Sequence, residues 1–455
     1  MIPNRMHQVF CLVIAAFGML GTDFSTAADR GDGRPILSGR QSLRQLQAFA
    51  LENNPEVSAS AFDRQAAQAR TAGAVGARLP RLTIEGAYNR YDPDLRLTAA
   101  RYNGELGVFG DSILATDLVL RLPLFTGGRL VAEVRAAELL EASAGQRLAR
   151  SRGDLIYNVA SFYFSILAQQ RLITALELSD RALASHLTQV QMVIAEHKAA
   201  AVDGLRSEVK LADIRQRLLR EQNILAIQQQ SLLNLLGANG SAENFSLADT
   251  LQTPPAEAEN VGTLVDAALQ NRADVIAVRH ETDAQAARLD AARAGHWPTV
   301  NFVGAVGNRV MSSPSQQPAG LSNNDRVSRF GVTVEIPIFE GGRTTARIDE
   351  EHAKLNAQRE RLEKLTQQVR LEIASARANL ASALERLKST EKSVRLATKV
   401  TDIEREKYAL ARGTLLDVLD AQSALLDAEA THIRALADAN TANAQLRWAK
   451  GETAQ

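Results

Sequence analysis

A chain of 455 residues with one cysteine, Cys11, can carry neither a disulfide framework nor a cysteine-ligated metal centre. Aromatic residues are scarce at 5%, while Ala, Leu, Gln, Arg and Glu abound. That is the composition of long helices with narrow, closely packed seams, not of an average enzyme. Net charge is also missing: 52 basic residues balance 52 acidic ones, and no Lys/Arg block stands out. Nucleic-acid binding is therefore not expected. The seven histidines are scattered, and no His-Glu-x-x-His or Gly-x-Ser-x-Gly element occurs. Gly127-Gly128 and Gly341-Gly342 are each followed by arginine, so they read as strand-to-helix bends and not as phosphate loops. No catalytic residue, cofactor or metal site is expected.

The apolar run from Val9 to Leu20 falls short of the ~20 residues that cross a bilayer as a helix. With Arg5 and His7 before it and small residues at Ser25-Thr26-Ala27-Ala28 after it, it reads as a secretory signal over 1–28, cleaved after Ala27 or Ala28. Cys11 follows His7-Gln8-Val9-Phe10, which is not a lipoprotein cleavage box, so no acyl anchor is expected.

The remaining chain reads as two copies of one plan, 29–240 and 241–455. Ala50-Leu51-Glu52-Asn53-Asn54 returns as Ala268-Leu269-Gln270-Asn271-Arg272, and Leu122-Pro123-Leu124-Phe125-Thr126-Gly127-Gly128-Arg129 returns as Ile336-Pro337-Ile338-Phe339-Glu340-Gly341-Gly342-Arg343. Leu79-Pro80 matches Trp297-Pro298, Asp203 matches Asp417, and Gly237 matches Gly451, at a spacing that stays near ~214–218 residues. Leu355, Leu362, Leu365, Val369, Ile373, Leu380, Leu384, Leu387 and Val394 share one helical stripe, which predicts a helix from about Arg343 to Ala411, on the order of 100 Å long. Its counterpart is predicted from Arg129 to Glu196. Leu211, Leu218, Leu225 and Leu232 keep heptad spacing on the next helix. Helices of this length exceed a compact domain and must lie along one another. Two medium ones, Pro55 to Arg78 and Leu205 to Leu236, stacked end to end, match one long one.

Four segments alternate apolar and polar residues: about 81–91, 112–122, 300–310 and 327–337. In the last, Phe330, Val332, Val334 and Ile336 oppose Arg329, Thr333 and Glu335. Strands of ~10 residues with one apolar and one charged face suit a transmembrane barrel, with lipid outside and water inside. Four strands cannot close alone, and an open edge in lipid leaves backbone groups unpaired at several kcal/mol each. Two copies would close only around a packed interior, so at least three are expected to share one barrel. The polar links Tyr91 to Asp111 and Met311 to Val327 read as outward loops, and Pro80, Pro123, Pro298 and Pro337 as helix-to-strand borders.

These residues resemble the TolC-like outer-membrane efflux protein family over the whole predicted mature chain. The repeat, the doubled Pro-x-Phe-x-Gly-Gly-Arg element and Tyr408-Ala409-Leu410-Ala411-Arg412-Gly413-Thr414-Leu415-Leu416-Asp417-Val418-Leu419-Asp420 carry the resemblance. It implies a mainly α fold with a transmembrane β-barrel portion: a homotrimer with a 12-stranded barrel in outer-membrane lipid, a periplasmic α-helical barrel and an equatorial belt. It also implies a passive exit duct for efflux or type I secretion, docked to a periplasmic adaptor and an inner-membrane pump. Asp417 and Asp420, three apart on one helical face, would form two stacked carboxylate rings favouring cations. Helix N-terminal acids placed by the dipole are the plainer reading of the same pair. By resemblance Tyr408, Arg412 and Asp203 are gate contacts; the chain departs from the family at Gly413, where an arginine is usual and Arg412 stands one place earlier. A periplasmic coiled-coil scaffold or adaptor would share the helices without needing a barrel.

Overall fold

The computed structural model describes residues 37, 39–90, 112–196, 200–239, 245–256, 260–312, 324–410 and 412–452. The predicted signal, the first outward loop and most of the second lie outside the described residues. The elements run β1 (Gly39–Gln41), α1 (Leu43–Asn53), α2 (Pro55–Gly76), β2 (Arg81–Arg90), β3 (Ser112–Phe125), α3 (Arg129–Ala195), α4 (Ala201–Leu236), β4 (Phe245–Leu247), α5 (Val261–Asn271), α6 (Ala273–Arg293), β5 (Thr299–Ser312), β6 (Asn324–Glu335), α7 (Arg343–Ala409) and α8 (Leu415–Lys450).

The two long helices, α3 and α7, each have 67 residues, which at 1.5 Å per residue is ~100 Å. Both start at a glycine with positive φ, Gly128 at 89° and Gly342 at 81°, a turn that any side chain would strain. The predicted stripe is the packed one: Leu355, Val369, Ile373, Leu380 and Leu387 are buried. Both α4 and α8 have 36 residues, and each ends at a left-handed glycine, Gly237 or Gly451.

The helices lie side by side. Helix α3 packs against α1, α2, α4, α6 and α8, whereas α7 packs against α5, α6 and α8. At each short-helix joint, the N-cap residue of one helix reaches the C-terminal carbonyls of another. Asn54 caps α2 by accepting from the Glu56 and Val57 N–H groups and donates its own Nδ2 to Leu235 O of α4 at 2.7 Å. Arg272, the matching position ahead of α6, donates to Ala449 O of α8 at 3.3 Å. The medium helices therefore meet end to end, as their summed length predicts.

A belt lies across the middle of this layer. Strand β1 pairs in parallel with β4; Gln47 of α1 donates to Ile156 O, and Tyr163 of α3 donates to Asp249 at 2.7 Å. The largest apolar cluster sits beneath it and includes Leu46, Tyr163, Leu232, Leu236, Leu264, Ile373 and Leu446.

The second sheet is antiparallel in the order β2-β3-β5-β6, leaving β2 and β6 as its edges. The strands differ from the predicted bounds. β3 runs three residues further, β5 covers 299–312 and β6 starts at Asn324 and ends at Glu335. The border role expected of Pro123 fails, because it sits inside β3 at a register shift between Pro123 and Phe125. Pro123 still stands opposite Asn301 and the residue skipped is Leu124, so the proline's missing donor falls beside a break already present in the ladder. Pro80, Pro298 and Pro337 do flank strands.

Candidate functional site

The register of the four-stranded sheet sorts its side chains into two faces. One carries Leu82, Ile84, Tyr88, Leu114, Leu118, Phe330, Val332 and Val334, all exposed. The other carries Arg81, Glu85, Asp117, Arg121, Arg309 and Arg329. Burial runs opposite to that of a soluble sheet: Phe330 on the apolar face is 66% exposed, whereas Val119 among the charges is 3% exposed. The charged face is thus the more enclosed one, which fits a wet lumen inside and lipid outside.

The charges on that face are paired across strands. Arg121 Nη1 lies 2.7 Å from Glu85 Oε1, and Arg309 holds Asp117 with two bonds of 2.7 and 3.0 Å. Two glycines explain the imperfect alternation of β5. A Cβ on Gly307 would fall 2.1 Å from Asp117 Oδ1, so its absence makes room for that carboxylate. A Cβ on Gly304 would fall 3.0 Å from the Phe330 ring, which covers the glycine from the next strand.

At the opposite end of the helices, Leu172, Leu176, Leu183, Val190, Leu211, Ile214, Leu415 and Leu419 form a second apolar cluster joining α3, α4 and α8. Asp417, in the first turn of α8, and Asp420, in the second, are both exposed. Asp417 closes a capping box with Thr414: its Oδ2 accepts from the Thr414 hydroxyl at 2.7 Å and the Thr414 N–H at 3.1 Å. The Thr414 hydroxyl, then its N–H, hold the Asp417 carboxyl below its ordinary value. Among the described residues, Asp420 has no polar partner; it stands beside Val202, Leu205 and Arg206 of α4.

The other predicted gate contacts are not brought together as a set. Asp203 lies 3.9 Å from Arg206 on its own helix. Arg412 is exposed, and its backbone N–H closes the end of α7 on Lys407 O at 2.8 Å. Tyr408 packs into the tip cluster, edge to face with His186 of α3, ring centroids 6.0 Å apart. His186 escaped the sequence reading because a lone histidine on a helix carries no spacing signal; its Nε2 is buried without a partner among the described residues. Burial, helped by Arg405, pushes its pKa below the usual imidazole value. Among the described residues no group of three or more His, Cys, Asp or Glu is arranged to hold a metal ion.

Comparison with known proteins agrees with this geometry. The chain is 22% identical over 414 residues to outer membrane protein TolC of Vibrio cholerae, covering 90% of this chain and 91% of that one. It is 27% identical over 397 residues to the toluene efflux pump outer membrane protein TtgF of Pseudomonas putida, covering 85% and 78%. The solved outer membrane protein VceC of Vibrio cholerae superposes with a TM-score of 0.74 at 19% identity, over 90% of this chain and 96% of that one. The outer membrane efflux protein family matches twice in tandem, at residues 47–238 and 264–452, and the chain belongs to that family.

Proposed function

We propose that three copies of this chain close one twelve-stranded barrel and one helical tube, forming an outer-membrane exit duct. A periplasmic adaptor and an inner-membrane pump hand solutes to it for efflux or type I secretion. The observation that carries this reading is the sheet with an exposed apolar face, an enclosed charged face and two unpaired edges. A soluble scaffold or adaptor would have no use for it.

The two-copy plan of the sequence explains how the edges meet. Within the chain, Val119 of β3 stands opposite Ala305 of β5, and both are buried. Their repeat counterparts, Thr333 on β6 and Ala87 on β2, are exposed. A Cβ on Gly127 would fall 2.5 Å from Trp297, whereas the counterpart glycine, Gly341, has nothing within 4 Å. In this reading Leu79 of a neighbouring copy fills that space, as Trp297 does within the chain. Helix α7, which packs on one side only, lies against α4 of the neighbour. Exposed Leu396, Val400 and Ile403 on α7 and Val202, Leu205 and Val209 on α4 supply that seam.

At the periplasmic tip, three copies of Asp417 and Asp420 ring the aperture. The capping box commits Asp417 to its own helix, so Asp420 is the freer charge. Reconstituted in planar bilayers, the protein is expected to conduct with cation preference and divalent block at this aperture. Asp420→Asn should weaken both more than Asp417→Asn does. Unchanged selectivity and block in both variants would remove the rings from the account.

A further inference from the structure

A groove of about 540 Å³ runs between α3, α7 and α8 at the height of the belt. Around α3, Tyr163 faces the belt, while the lining residues Ser161 and Ser165 lie two positions to either side. At 100° per residue that puts them on the far side of the helix. With the belt outside the tube, the groove opens into the lumen; this placement rests on the duct reading above.

Its lining is polar; Ser165 accepts from Gln228 and Gln169 donates to Glu221, both on α4, while most of the other polar groups are uncommitted. Arg434 makes no hydrogen bond or ion pair among the described residues, nor do the side chains of Asn379, Ser382 and Gln445. Arg386 meets Asp438 at 3.2 Å, with both side chains more than half exposed. Such a pair contributes roughly 0–1 kcal/mol, so its guanidinium can turn to another anion at little cost. Two arginines against one aspartate leave the groove with an excess positive charge. In three copies these grooves face one another across a water-filled tube whose protein walls focus the field.

The geometry points to a lumenal subsite for small polyanions, of the phosphate, sulfate or polycarboxylate class, held by the Arg386 and Arg434 guanidinium groups and the neighbouring amides and hydroxyls. It reverses the sign of the charge that a solute meets at the acidic tip.

Pyrophosphate, added to both compartments of a planar bilayer containing the full-length oligomer, is the probe. Open-channel current should fall with pyrophosphate concentration. Arg434→Gln should raise the half-blocking concentration about tenfold, the factor expected for one charge-assisted hydrogen bond. Asp438→Asn should lower it, and Arg44→Gln on the exposed face of α1 should leave it unchanged. Equal block in native and Arg434→Gln channels, or an equal loss from Arg44→Gln, overturns the subsite. Absence of any conducting pore in the native protein overturns the duct reading instead. Conductance in plain potassium chloride verifies that each variant assembles.

Discussion

At Arg272 a guanidinium with 1% of its side chain exposed lies 2.7 Å from Asp274 and 2.6 Å from Glu372, beside the carbonyl of Ala449. The Trp448 ring lies 5.6 Å from its centre, with Arg150 on the same ring at 4.3 Å. Removing the guanidinium strands the partly buried carboxylates of Asp274 and Glu372, which are 21% and 24% exposed. Arg272→Ala is therefore expected to cost about 3 kcal/mol, the low end for breaking a buried ion pair, read as a lower melting temperature. Asp274 adds an acid dependence. Burial alone would push its carboxyl up, but Arg272 and Arg150 outweigh burial and hold it below 3.8. A lowered carboxylate pKa gives stability that is present above the unfolded value and lost as pH falls through the folded one. His186 has the same sign at a higher pH: it is neutral and unpartnered in the folded tip, so stability falls as pH drops below 6.5. Melting of the native protein between pH 7 and 5 should show this slope, and His186→Phe should flatten it. An unchanged slope in the variant would place the effect elsewhere. Arg272 was legible only as a repeat position and His186 not at all, because Glu372, Ala449 and Tyr408 lie a hundred or more positions away and leave no local pattern.

The elements were legible to the extent that their periodicity is local. The leucine stripe of α7, the heptads of α4 and the alternation of β6 follow from spacing alone, and their helices and strands lie where that spacing puts them to within a few residues. Pro123 misled because a proline at a bulge and one at a border look alike in sequence. The loose alternation of β5 became intelligible only with its partners in place, Asp117 over Gly307 and Phe330 over Gly304. The joints between stacked helices rest on backbone that a side chain would spoil. A Cβ on Gly237 (φ 69°) would fall 2.4 Å from Asn53 O, and one on Gly451 (φ 79°) 3.1 Å from Arg272. Gly237→Ala and Gly451→Ala should each lose at least ~1–2 kcal/mol from the left-handed strain, with Gly237→Ala the worse for its backbone clash. Chemical denaturation of the two variants checks both the size and the order.

For the whole molecule, the single chain leaves two sheet edges and one face of a long helix uncovered. Its sheet has apolar side chains facing outward along both β2 and β6, and α7 is packed on one side only. Apolar sheet faces and open edges of this kind persist in a membrane protein because lipid covers the one and another chain pairs the other. The tip is where the sequence said least: Asp417 and Asp420 lie in the first two turns of α8, while Tyr408 meets His186 and Asp203 meets Arg206, so the predicted tip residues form no single network among the described residues. Contacts that cross between copies are beyond the reach of spacing within one of them. The edge pairing can be tested directly. In the proposed shared barrel, Thr333 of one copy stands opposite Ala87 of the next, as Val119 stands opposite Ala305 within the chain. In a Cys11→Ser background, Thr333→Cys with Ala87→Cys, oxidised in outer-membrane vesicles, should run as a covalent trimer on a denaturing gel without reductant, and each single variant as a monomer. A double variant that assembles and conducts normally but stays monomeric on that gel would contradict the shared barrel.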